Sequence, residues 1–142
     1  MPGYNGCGGN NMCIFCDIID HKIPSSVVYE DDQVLAILDI SQVTKGHTIV
    51  MPKQHAANIL EADEETSRAV FTVARKVASL LKEKTGCAGI NILSNCGEAA
   101  GQSVDHFHVH VIPRYGKLDA FKLMFQSSEP QDLDAVLALL KG

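Results

Sequence analysis

The sequence predicts an α+β domain in which five short strands form an antiparallel sheet and one long helix packs on its face. Two observations set the class. Runs of four to six apolar or β-branched residues are separated by turn formers, and the links between neighbouring runs are mostly short, which favours antiparallel pairing. A single long segment, residues 63–85, carries a helical period instead. A third observation bounds the size: 142 residues suit one domain with one hydrophobic core. The domain is expected over residues 12–142, with the Gly- and Asn-rich residues 1–11 as a flexible tail.

Taken in order, Cys13 to Ile19 is a short apolar stretch of one or two helical turns, broken by Pro24. Val27 to Glu30 and Val34 to Asp39 read as strands joined by Asp31-Asp32-Gln33, a hairpin connection. Thr48 to Met51 is a third strand, stopped by Pro52. Asp63 caps the long helix, and Glu64 and Glu65 complement the dipole of its first turn. Val70, Phe71, Ala74, Val77, Ala78 and Leu81 form its apolar stripe, and Gly86 provides a left-handed exit. Ile90 to Leu93 and Phe107 to Ile112 are two further strands. Pro130 to Leu140 reads as a terminal helix with Leu133, Val136, Leu137 and Leu140 on one side.

Composition limits the partners. A net charge of −5 argues against a generic nucleic-acid binder, which needs a basic face, but leaves room for a small nucleotide. Apolar runs fall short of the roughly 20 residues that span a membrane, and residues 1–11 lack an apolar segment of signal-peptide type. The five cysteines are an odd count, unlike a disulfide framework, so a reducing cytosol is the expected compartment. Cys87 and Cys96 read as core thiols.

The chemistry concentrates in one strand. His106, His108 and His110 alternate, so their side chains leave one face while Phe107, Val109 and Val111 leave the other. Imidazoles about 6–7 Å apart along a strand suit work around one phosphate or one metal, and a purely structural role is the plain alternative. The loop Asn95 to Ser103 carries Gly97 and Gly101 and is either a phosphate-approaching loop or an ordinary turn. Cys13 and Cys16 have the two-residue spacing of zinc ligands, half of a tetrahedral site; a redox dithiol is the rival reading. His21 has no assignable role.

The segment Gln102 to Arg114, with His-x-His-x-His followed by apolar residues, resembles the histidine triad (HIT) family. The resemblance extends to Cys13 to Ile19, Ile23-Pro24, Tyr29 to Asp31, Leu38 to Ser41 and Gly46 to Lys53, and covers roughly residues 13 to 115 in the manner of the HINT branch and its bacterial-type relatives. It implies the HIT-like fold and a purine nucleotide hydrolase acting at the α-phosphate through a nucleotidyl-histidine on His108, with nucleoside phosphoramidates as the leading substrates. By position, His110 and His47 are expected to donate to the phosphate, with Asn95, Gln102 and Ser103 near it beside Gly101. Asp39 corresponds to the ribose clamp, and Ile14, Phe15, Ile18, Ile23, Leu38 and Ile40 to the base slot; for these the alternatives are a turn-capping Asp and plain core. His55 and His106 would complete a structural zinc site with Cys13 and Cys16. The resemblance also implies a homodimer through the long helix and an adjacent strand. Residues after Gly116 are similar to the longer bacterial-type tail, which bears on leaving-group choice; Arg114 either meets an anionic leaving group or is an exposed strand-end cation. A dinucleoside polyphosphate hydrolase, a nucleotide-binding scaffold and a purely structural zinc protein are the alternative functions.

Overall fold

The computed structural model describes residues 13–142; the expected tail, residues 1–11, lies outside the described residues. Five strands, β1 (Val27–Glu30), β2 (Val34–Leu38), β3 (Thr48–Pro52), β4 (Gly89–Leu93) and β5 (Val109–Arg114), form one antiparallel sheet in the order β1-β2-β3-β5-β4. The helices are α1 (Ile14–Ile19), α2 (Glu64–Thr85) and α3 (Leu133–Lys141). Among the described residues no helix is long and apolar enough to cross a membrane.

Local chemistry explains the element ends. Asp31 Oδ1 accepts from the backbone N–H of Gln33 and of Val34, both at 2.8 Å, which closes the β1–β2 hairpin. Asp63 caps α2 by accepting from Thr66 N at 2.7 Å, and Gly86 ends it at φ +66.

The sheet is covered on both faces, and alternation along β2 shows how. Val34 and Ala36 point to α2, where they join Val50, Phe107, Val109 and Val111 against Val70, Val73, Ala74, Val77 and Leu81. Leu35 and Ile37 point the other way and pack, with Ile49 and Met51, on Phe15, Cys13 and Cys16 around α1. Burial on both faces makes β2 and β3 apolar runs rather than alternating ones.

Several boundaries differ from the sequence reading: β3 takes in Pro52, β5 runs on to Arg114, β2 ends at Leu38 and β4 begins at Gly89, and two elements start later than expected by more than one residue. The histidine segment joins the ladder only at Val109, not at Phe107. Its earlier backbone groups are engaged elsewhere: Phe107 N–H donates to Ala56 O at 2.7 Å, and His106 O accepts from the His108 ring at 2.7 Å. The alternation of faces nevertheless holds, because Phe107, Val109 and Val111 enter the α2 core. The terminal helix starts at Leu133, not Pro130, because the Asp132 side chain accepts from Asp134 N at 3.0 Å and Ala135 N at 3.2 Å. Its apolar side, Leu133, Val136, Leu137 and Leu140, stays exposed in the single chain.

Candidate functional site

The α1 face of the sheet holds a cleft of about 320 Å³ that opens beside His108 and His110. Register builds its floor: Ile37 on β2 lies opposite Ile49 on β3, and Ile49 lies opposite His110 on β5. Phe15, Ile14 and Ile18 of α1 form one wall, and Leu38, Asp39 and Ile40 form the rim where β2 ends. Ile23 lies in an adjoining recess that shares Ile14, Ile18, Leu38, Asp39 and Ile40. The apolar part of this surface can take a planar base, and Asp39 lies on the rim that the cleft and the recess share. The sequence reading missed Ile37, Ile49, Ser41 and Val104, which also line the cleft. Ile37 was findable, since it precedes Asp39 by one strand period.

His108 is buried, with its ring edge-on to Phe15 at a centroid distance of 4.9 Å. Its Nδ1–H donates to His106 O at 2.7 Å, which leaves the Nε2 lone pair free. Burial lowers its pKa below the usual imidazole value, against smaller opposing effects of the His106 carbonyl and the Asp39 carboxylate. The His110 ring centroid is 5.0 Å from that of His108, closer than strand spacing alone implies, because the rings lean together. Burial, then the neighbouring His108 and His47, hold His110 down to about 4.

His47 sits at the start of β3's approach and is only 4% exposed. Its Nε2 faces His110 Nδ1 at 2.9 Å and lies 3.7 Å from Asp39 Oδ2. It is therefore behind His110 and does not line the cleft. Burial lowers its pKa too, with Asp39 opposing. The loop that carries Asp39 and His47 is pinned by Gln42, whose Nε2 donates to Asp39 O at 2.6 Å and His47 O at 2.7 Å and whose Oε1 accepts from Gly46 N at 2.8 Å. Asp39 Oδ1 accepts from Ser41 N at 2.8 Å, so Oδ2 is the oxygen turned toward the histidines.

Of the loop residues, Ser103 lines the cleft, while Asn95, Gly101 and Gln102 do not. Gln102 Nε2 donates to Ala57 O at 2.6 Å and Val104 O at 2.9 Å, and its Oε1 accepts from Gly97 N at 2.8 Å. Its amide thus shapes the loop. Asn95 Nδ2 reaches Gly101 O at 3.4 Å. Arg114 spends its guanidinium on Asp119, Asn91 Oδ1 at 2.7 Å and Phe121 O at 2.9 Å, which ties residues 119–121 to the sheet.

The third histidine faces a different cluster. Donor atoms of Cys13, Cys16, His55 and His106 all lie within 4.8 Å of one another. His106 Nδ1 is 3.3 Å from Cys13 Sγ and 3.1 Å from His55 Nδ1, and Cys16 Sγ is 3.5 Å from His55 Nδ1. Tetrahedral zinc with Zn–S and Zn–N bonds of about 2.3 and 2.0 Å places its ligands about 3.3–3.8 Å apart, so the four side chains fit the ion. The tautomer fits as well: His106 Nε2–H donates to Pro52 O at 2.8 Å, which turns the Nδ1 lone pair toward the sulfurs. Burial pushes the Cys13 thiol up, so its thiolate needs a cation beside it. Cys16 is disulfide-bonded in this structure, so ligation by its sulfur requires the reduced form. Cys13, Cys87 and Cys96 are free thiols.

The HIT domain family model matches residues 20–117. "Protein hit" of Bacillus subtilis is 48% identical over 128 residues, covering 87% of this chain and 88% of that protein. Adenylylsulfatase HINT3 of Arabidopsis thaliana is 36% identical over 104 residues, covering 73% of this chain and 53% of that protein. Among solved structures, a HIT family protein from Bacillus anthracis is similar with a TM-score of 0.87 and 45% identity, covering 92% of this chain and 94% of that one. A Zn-bound histidine triad family protein from Mycobacterium smegmatis is similar with a TM-score of 0.74 and 36% identity, covering 94% and 98%.

Proposed function

This chain belongs to the HIT family, and from that premise we propose that it is a purine nucleotide hydrolase acting at the α-phosphate, with nucleoside phosphoramidates as its leading substrates. The observation that carries the reading is the orientation of His108. Its Nδ1 proton is committed to a backbone carbonyl, and its opposite nitrogen is a neutral lone pair in a cleft that also offers a carboxylate and an apolar wall.

The base lies between α1 and the end of β2, and Asp39 accepts from the ribose hydroxyls. His108 Nε2 attacks the α-phosphorus; the phosphorus–nitrogen bond to the leaving amine breaks, and the amine takes up a proton from solvent as it departs. The phosphorus–nitrogen bond of the nucleotidyl-histidine then breaks as water adds, which returns a neutral imidazole and a nucleoside monophosphate. The barrier is lowered chiefly by positioning and charge stabilisation. His110 supplies an N–H to the nonbridging oxygens, with Ser103 as a second donor from the loop.

A zinc ion on Cys13, Cys16, His55 and His106 belongs to the same reading. Held there, the ion would supply structure, tying α1 to the loop that follows β3 and to the start of the histidine segment. Thiolate ligands suit reducing surroundings, so the cytosol is the proposed compartment. Exposed Ile92 on the edge strand β4, with Phe71 and Leu80 on α2, supports a homodimer through those elements.

The test is a substrate panel run on wild type and His108→Ala: an adenosine phosphoramidate, adenylyl sulfate and a diadenosine polyphosphate. Turnover of the phosphoramidate by wild type alone is expected. Equal rates for the two proteins reject the nucleophile; preference for the polyphosphate rejects the substrate class; AMP binding without turnover of any compound rejects the enzyme.

A further inference from the structure

Two polar side-chain atoms among the described residues are buried without a hydrogen-bond partner, Thr44 Oγ1 and His47 Nδ1. Both belong to one turn, closed by His47 N–H donating to Thr44 O at 3.1 Å. Thr44 is 7% exposed and His47 4%. An orphaned buried polar atom carries a large desolvation cost. Two orphans in one turn, one on a hydroxyl and one on an imidazole behind the phosphate site, are better explained as partners.

The direction of the hydrogen bonds follows from the far end. For His110 to present an N–H to phosphate from Nε2, its Nδ1 must be the acceptor. The group facing His110 Nδ1 is His47 Nε2, at 2.9 Å, which must then carry the proton. The Asp39 carboxylate oxygen 3.7 Å from that same Nε2 favours a proton there. His47 Nδ1 is left with a buried lone pair that needs a donor, and the Thr44 hydroxyl is the orphaned donor in the same turn.

We propose that Thr44 is a positioning residue for catalysis: its hydroxyl, through one bridging water, hydrogen-bonds His47 Nδ1 and so sets a donor chain Thr44–His47–His110 aimed at the substrate phosphate. The two orphaned atoms, at the two ends of one hydrogen-bonded turn, offer a water two partners. No proton is transferred in this role; the chain fixes tautomers, so that His110 meets the phosphate as a donor rather than as a lone pair. The inference rests on the reading of His110 as the phosphate donor, and extends it to a residue outside the cleft.

The experiment pairs nitrogen-15 NMR of the histidine rings in the free reduced protein with kinetics on the phosphoramidate. In wild type, His47 is expected as the Nε2–H tautomer and His110 likewise. Thr44→Val removes the hydroxyl at nearly constant volume; a mixed or reversed His47 tautomer is expected, with kcat down about tenfold and KM within about twofold. Thr44→Ser is expected to restore both. A wild-type His47 protonated at Nδ1 overturns the proposal even if Thr44→Val does not fold. So does a folded Thr44→Val protein with the wild-type tautomer and kcat. The NMR readout needs no turnover, so an inactive wild type rejects the hydrolase reading alone, and a wrong tautomer with intact turnover rejects the relay alone.

Discussion

Gly46→Ala tests how the loop that carries His47 is held. Gly46 has φ +100, and a Cβ added there lies 3.0 Å from Leu81 Cδ2 and 3.3 Å from Pro113 Cγ. The left-handed backbone alone costs an L-residue about 1–2 kcal/mol. Overpacking adds about 1–3 kcal/mol, toward the low end here because the Leu81 methyl can shift while the Pro113 ring cannot. The expected loss is about 2–4 kcal/mol, which for a chain of this size lowers Tm by about 5–15 °C. Urea and thermal unfolding read it, with Gly89→Ala as control, since its Cβ meets nothing within 4 Å and its φ lies outside the positive range. The control is expected within about 0.5 kcal/mol of wild type. Because residue 47 follows directly, kcat should fall in Gly46→Ala as well. A Gly46→Ala protein as stable as the control refutes the packing argument.

Asp39→Asn keeps the oxygen that accepts from Ser41 N but removes the charge; a lost charged hydrogen bond of about 1.5–3 kcal/mol raises the Kd for AMP about 10- to 100-fold, read by calorimetry, and an unchanged Kd contradicts the ribose role. Burial lowers the pKa of His108 and takes His110 to about 4. Lowered values keep both rings neutral further into acid, so kcat/KM should be flat above pH 7 and fall only below about pH 6.5, the ordinary imidazole value; a limb centred above pH 7 contradicts this. For reduced protein, a thousandfold zinc excess over Kd contributes about 4 kcal/mol, so chelation should lower Tm by about 10 °C; less than half an equivalent of zinc by elemental analysis, unchanged in Cys13→Ser, contradicts the metal site.

Much of the fold was legible because local and tertiary demands agree. Asp63, the α2 stripe and Gly86 are each local signals, and the helix lies where they put it. The histidine segment was harder. Its alternation fixed which side chains share a face, but its entry into the ladder depends on Ala56 and on the His108 ring taking a backbone carbonyl, contacts between distant residues or within the site. The same holds for α3, where sequence offers both Pro130 and Asp132 as starting points and the side-chain cap at Asp132 decides. At the site, residue types announced chemistry but not partners. The family resemblance grouped His55 and His106 with the cysteine pair, and the structure brings those four side chains together. Position also suggested His47 and Gln102 as direct phosphate donors. The structure turns His47 toward His110 and commits the Gln102 amide to backbone groups, outcomes set by loop geometry that spacing does not encode.

The central claim is that the His108 ring takes the nucleotidyl group. Rapid acid-sparing quench of reduced wild-type protein during turnover of an adenosine phosphoramidate, followed by peptide mass spectrometry, reads it directly. An adenylyl mass on the His108 residue, absent from His108→Ala, is the predicted result. An adduct on another side chain, or undiminished turnover by His108→Ala, contradicts it.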